Sequence, residues 1–119
     1  MEFQVITHGL NWQVGRRYSD FIWLREYLTK FYPTQIIPPI PNKKAAKISP
    51  RHLNKRMKIL SFFLNDIVHK QELFNCKYVE AFLSVKDSEK FESIKKEGEN
   101  KKSYKSIAST ETASGVLKV

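Results

Sequence analysis

The run IIPPIP, Ile36 to Pro41, limits what this chain can fold into more than any other stretch. Pro38, Pro39 and Pro41 each fix φ and remove a backbone donor, and each disfavours helix in the residue before it. Neither a helix interior nor a central strand can cross such a segment, so it is expected to be extended, of the polyproline II type. It therefore divides the chain into two parts, each of which must form its elements independently before they meet in one core.

Before the run, Phe3 to Thr7 is short and rich in β-formers, and Trp12 to Tyr18 places Trp12, Val14, Arg16 and Tyr18 on one face and Gln13, Gly15 and Arg17 on the other. The HGLN between them carries Gly9 and Asn11, which suit a tight reversal, and predicts a β-hairpin. Ser19 is the expected N-cap of a helix in which Phe21, Leu24, Leu28 and Phe31 recur at helical spacing, ending before Pro33. After the run, Ser49 and Pro50 form a cap and first-turn pair. Leu53, Met57, Leu60, Leu64 and Ile67 then mark the apolar stripe of a long helix. A short turn at 72–74 and a helix at 77–84, with Val79, Phe82 and Leu83 inward, close the unit. The expected organisation is one folded domain over 1–85, with a polar helical extension and a disordered Ser/Thr/Ala-rich tail over 86–119.

Charge follows that division. The first 85 residues hold 13 Lys+Arg against 6 Asp+Glu, and so contribute +7 of the formal +9. A basic folded part points to a polyanionic partner, whether nucleic acid, an anionic membrane or a phosphorylated ligand. One cysteine, Cys76, excludes an intrachain disulfide and favours a reducing compartment such as the cytosol. No stretch approaches a membrane span, so any membrane contact is expected to be peripheral. His8, His52 and His69 lack mutual ligand spacing, and the phosphate-cradling and nucleophile-elbow motifs are missing. Neither metal, cofactor nor catalysis is expected.

Three basic clusters remain, each with a plain alternative. Arg16 and Arg17 precede Tyr18; an arginine fork suits phosphate, but the pair would serve equally as solvated charge beside a core tyrosine. Lys43, Lys44 and Lys47 follow the prolines. There, the isoleucines of the run could pack on the domain or enter a bilayer interface, and the PPIP could instead be a ligand for an SH3-type partner. Arg51, Lys55, Arg56 and Lys58 lie near the start of the long helix, against its macrodipole, which suits either a bound anion or simple solvation. Arg56 borders the apolar stripe and should be held more firmly than Lys58. A nucleic-acid binder is allowed by charge, but no RNA- or DNA-reading pattern supports it.

Taken in order, RRYSDFIWLREYL, IIPPIPNKK, RHLNKRMKILSFFLNDIV and YVEAFL resemble the phox-homology (PX) domain, and within it the sorting nexins, over about residues 3 to 85. The resemblance implies an α+β fold, a small antiparallel β-sheet against a helical subdomain with a proline-rich loop. The family's first strand would precede Phe3, so a hairpin with an unpaired edge and an open core face is expected here. It also implies binding of a phosphoinositide headgroup, phosphatidylinositol 3-phosphate above others, on the cytosolic face of early endosomes, with protein partners of a sorting complex and no nucleic acid. Carried over by motif position, Arg17 would hold the 3-phosphate, Tyr18 would lie under the inositol ring, Lys43 would meet the 1-phosphate, and Arg56 would bind the 4- and 5-hydroxyls. Arg16, on the other face, would be structural. Ile37, Ile40 and Ile48 would enter the bilayer, with Lys44 and Lys47 adding about 1 kcal/mol each near an anionic surface.

Overall fold

A computed structural model of the protein describes residues 2–41 and 50–100. Strands β1 (Glu2–Thr7) and β2 (Trp12–Arg17) form an antiparallel hairpin in which Phe3 faces Arg16 and Val5 faces Val14 across the ladder. Its turn places Gly9 at φ 87° and Asn11 at φ 57°, left-handed conformations that these two residue types adopt at least cost. Alternation puts Phe3, Val5, Val14 and Arg16 inward and leaves Gln4, Ile6, Gln13 and Arg17 outward. Among the described residues no strand pairs with the outer edge of β1. A groove of about 540 Å³ runs beside that edge, floored by Phe3, Phe21, Leu60 and Leu64, which is the open core face expected of a hairpin alone.

Helix α1 (Tyr18–Phe31) follows β2 with no loop between them. The start falls before the expected cap: Asp20 Oδ2 accepts from the backbone N–H of Arg17 at 2.8 Å, so Arg17 takes the N-cap position and Ser19 lies inside the first turn. An acid three residues into the helix closes the terminus better than the serine does, because its charge also complements the helix dipole. Phe21, Leu24 and Leu28 are fully buried, and Phe21 meets Phe3 and Phe82 edge-on at ring separations of 6.1 and 5.0 Å.

Helix α2 (Pro50–Val68) begins on its proline, but its apolar stripe differs from the expected one. Leu60, Phe63 and Ile67 are buried, Leu53 and Leu64 are partly covered, and Met57 is half exposed. No residue of α2 before Leu60 is buried, so the helix seats only its second half in the core and its basic first half lies along the surface. Helices α3 (Gln71–Phe74) and α4 (Lys77–Ser84) follow; α4 buries Tyr78, Val79, Ala81, Phe82 and Leu83.

The expected polar extension forms a helix, α5 (Ser88–Glu99), capped by Asp87, whose side chain accepts from the Glu89 N–H at 3.0 Å. It is not peripheral. Phe91 is buried edge-on against Trp23 and Phe82, and a Cβ on Gly98 would lie 3.3 Å from the Trp23 ring. The core therefore runs past the boundary expected at residue 85. The tail reading for 101–119 lies outside the described residues.

The proline-rich run forms neither helix nor strand. Ile37 and Ile40, expected at the membrane, are instead part of the core, at 8% and 7% exposure, while Ile36 is 83% exposed and Pro39 is also outward. A polyproline path has three residues per turn, so positions 37 and 40 share one edge and 36 and 39 another. The inner edge is fixed by carbonyl anchors: Arg25 Nε donates to the Pro38 carbonyl at 2.9 Å, Lys70 Nζ to that of Ile36, and the Tyr18 hydroxyl to that of Pro41.

Candidate ligand-binding site at the strand-to-helix junction

Because β2 passes directly into α1, strand alternation decides the fate of two adjacent arginines. Arg16 points inward and is 3% exposed; its guanidinium donates to the carbonyls of Phe82 (2.8 Å), Ala81 (3.2 Å) and Val85 (2.5 Å) at the end of α4, and lies 3.8 Å from the centre of the Phe91 ring. Burial pushes its pKa below the ordinary arginine value, and Asp20 and Glu2 oppose that. Arg17 points outward with its side chain about half exposed, at the positive end of α1.

Tyr18, the first residue of α1, joins three parts of the molecule. Its backbone follows Arg17, its hydroxyl holds the Pro41 end of the proline run, and its ring carries the Arg56 guanidinium of α2 at 4.0 Å from the ring centre. Such stacking uses the planar guanidinium in a way a lysine cannot match. Burial raises the Tyr18 pKa, partly offset by Arg56, so the phenol keeps the proton it donates to Pro41. Arg56 is partly buried, whereas Lys58 is exposed, the order expected from the border of the stripe.

The structure thus brings Tyr18, Arg56 and the end of the proline run together, with Arg17 next in the chain. Lys43, Lys44, Lys47 and Ile48 lie outside the described residues. The run itself is not free as a partner's ligand on its inner edge, since Ile37, Pro38 and Ile40 are buried.

Sequence reasoning missed three charged residues beside Arg17. Arg17 Nη2 is 2.9 Å from Glu92 Oε2 of α5 and 3.7 Å from Asp20 Oδ1. Lys95 Nζ is 2.7 Å from the same Asp20 oxygen and 3.8 Å from Glu92 Oε2. Two cations and two carboxylates alternate around a closed ring. Its inner half, Asp20 and Lys95, is nearly buried, and its outer half, Arg17 and Glu92, is about half exposed. A signal was available: Phe91, Ile94, Lys95 and Gly98 recur at helical spacing within the polar extension, which marks a face that docks. The anchoring role of Arg25 had no such signal.

The PX domain family model matches residues 4–86. The chain belongs to the PX domain family. Sorting nexin MVP1 of Candida albicans is 43% identical over 75 residues, which span 61% of this chain and 10% of that protein. Sorting nexin-7 of Mus musculus is 37% identical over 91 residues, 72% of this chain and 23% of that protein. The X-ray structure of a designed CISK-PX domain superposes with a TM-score of 0.59 at 37% identity, covering 69% of this chain and 78% of that one. The chain thus spans a tenth to a quarter of the length of these curated relatives, and it carries the α+β fold of a PX domain. Among the described residues no helix is long and apolar enough to cross a membrane, and no cluster of His, Cys, Asp and Glu could hold a metal ion.

Proposed function

We propose that this PX domain is a phosphoinositide-binding, membrane-targeting module of a sorting nexin-like protein, with phosphatidylinositol 3-phosphate as its ligand and the cytosolic face of early endosomes as its place of action. The observation that carries the reading is the Tyr18 hub, where the Arg56 guanidinium stacks on the ring, the proline run ends at the hydroxyl, and Arg17 stands exposed one residue away at a helix N-terminus. Arg17 would grip the 3-phosphate through two parallel charge-assisted hydrogen bonds, supported by the positive end of α1. Tyr18 would support the sugar ring, Arg56 would serve its 4- and 5-hydroxyls, and Lys43 its 1-phosphate. Lys44, Lys47 and Ile48 would add bilayer charge and insertion, without the help first expected from Ile37 and Ile40. The module binds rather than catalyses, and protein partners of a sorting complex would be engaged by the longer protein.

Sedimentation with vesicles carrying each phosphoinositide at matched surface charge tests this. Wild type is expected to prefer phosphatidylinositol 3-phosphate, and Arg17→Gln to lose at least about tenfold in affinity while remaining folded, because a bidentate charged contact is lost. Equal binding of both proteins to every anionic vesicle would reduce the interaction to general charge.

A further inference from the structure

Glu92 holds one nitrogen of the Arg17 guanidinium, the group proposed above to grip a phosphate. Its carboxylate offers the guanidinium an anionic oxygen at 2.9 Å, a phosphate-like contact, and it comes from α5, which starts at Ser88, beyond the end of the family match at residue 86. The two acids next to Arg17 are not equivalent. Asp20 is 5% exposed, is bound to Lys95 at 2.7 Å and accepts the Arg17 backbone N–H, so it is committed to the fold. Glu92 is 46% exposed, and its contact with Lys95 is loose at 3.8 Å. Opening the Arg17–Glu92 pair therefore breaks one solvent-exposed contact and leaves the buried half of the ring intact.

We propose that Glu92 is a built-in competitor at this site: it occupies Arg17 until a phosphate monoester displaces it, and so weakens each ligand in proportion to how far that ligand binds through Arg17. The proposal rests on the phosphoinositide reading above. A phosphate monoester carries a charge of about −1.5 to −2 near neutral pH and offers three acceptor oxygens, so it outcompetes a single carboxylate for the arginine fork. A phosphodiester or a phosphatidylserine headgroup carries one net negative charge and gains little by displacing an acid that is already tethered nearby. Lys95, anchored on Asp20, keeps α5 docked while Glu92 swings away.

The test is vesicle binding by the full chain with phosphatidylinositol 3-phosphate, with unphosphorylated phosphatidylinositol and with phosphatidylserine, comparing wild type, Glu92→Gln, Glu92→Asp and Glu89→Gln. Glu89 lies one turn earlier on α5, so its variant makes the same change in net charge. Glu92→Gln and Glu92→Asp, the first uncharged and the second too short to reach, are expected to bind phosphatidylinositol 3-phosphate about two- to fivefold more tightly than wild type, the range an exposed ion pair supports. Phosphatidylserine and phosphatidylinositol should gain less, because they draw less on Arg17 and so bear less of the cost of opening its pair. Both gains should vanish in the Arg17→Gln background, and thermal unfolding should show α5 still docked. Glu92 variants that behave like Glu89→Gln overturn the competition, and Glu92 variants that bind more weakly than wild type overturn it too and make Glu92 a positioning residue instead. Wild-type binding that does not depend on Arg17 sinks the underlying reading, a result distinct from either of these.

Discussion

Arg16 donates to three carbonyls at the end of α4 and stacks on Phe91, whereas its neighbour Arg17 meets only exposed or ring-sharing carboxylates. The consequences of removing them differ in kind. Arg16→Ala leaves three acceptors without their shared donor and opens a space beside Phe91, so it is expected to cost about 3 kcal/mol or more. Arg16→Lys should not restore stability, because a point charge cannot serve three carbonyls through a rigid fork. Arg17→Ala is expected to change stability by less than about 1 kcal/mol, since its pairs are half exposed. Urea unfolding of the three variants checks the contrast. If Arg16→Ala unfolds at the wild-type midpoint, the buried guanidinium is not a structural joint. Tyr18 lies between these cases: its ring is nearly buried, but what it offers is a surface on which Arg56 rests and a hydroxyl that ties down the proline run.

At the scale of elements, α2 divides its labour along its length. Its second half supplies Leu60, Phe63 and Ile67 to the core, and its first half displays Arg51, Lys55, Arg56 and Lys58. Phe63→Ala is therefore expected to cost about 3–5 kcal/mol, as for a large side chain removed from a closed core. Met57→Ala, at a site half open to solvent, should cost below about 1 kcal/mol. Comparable losses at both positions would mean that the groove beside β1 is closed in solution. Helix α5 is held by the buried Phe91 ring, by the buried Lys95–Asp20 pair and by the close seat of Gly98 on Trp23 and Tyr78. Lys95→Ala takes the close ammonium partner from a nearly buried carboxylate, leaving it the Arg17 amide and the more distant Arg17 and Arg16 guanidiniums, and should destabilise by about 3 kcal/mol. Gly98→Leu should lift the last turn of α5 off Trp23, seen as a shift in tryptophan fluorescence with little loss of helix signal.

For the molecule as a whole, the aromatic content of the core sets its behaviour in alkali. Burial, with smaller effects from Cys76 and Glu97, pushes the Tyr27 pKa from 10.0 up to about 12. Burial likewise raises Tyr32 and Tyr78, with help from hydrogen bonds to Cys76 and Glu97. Each pKa is higher in the folded state than in the unfolded chain, so the unfolded chain loses its protons first. Stability from these groups is full below about pH 10. It falls as pH rises from there through about 12, the folded value of Tyr27. Tyrosinate absorbance should accordingly rise late and steeply, in step with loss of the circular dichroism signal. A gradual titration centred at the free-tyrosine value would show these rings to be open to solvent.

Much of this was legible without coordinates, because it is governed by local rules. The hairpin follows from alternation and from Gly9 and Asn11 in the turn; α1, α3 and α4 follow from periodicity and from Pro33. Strand alternation alone puts Arg16 and Arg17 on opposite faces, whereas which of them is structural was an implication of the family resemblance, as were the roles of Tyr18 and Arg56. Partner choice across the core was not legible, because it depends on where whole elements come to rest. Whether Ile37 and Ile40 meet lipid or protein depends on which edge of an extended segment the core covers, and the three-residue repeat allows either. Whether α2 is buried by Met57 or by Phe63 depends on how far along its length the body reaches. The acid that faces Arg17 lies 75 residues away in a helix whose polar composition reads as solvated, and only docking through Phe91, Lys95 and Gly98 brings it there. Charge pairing over such a distance in sequence leaves no periodic trace, since the energy that fixes it comes from burial of the neighbouring apolar face rather than from the charges themselves.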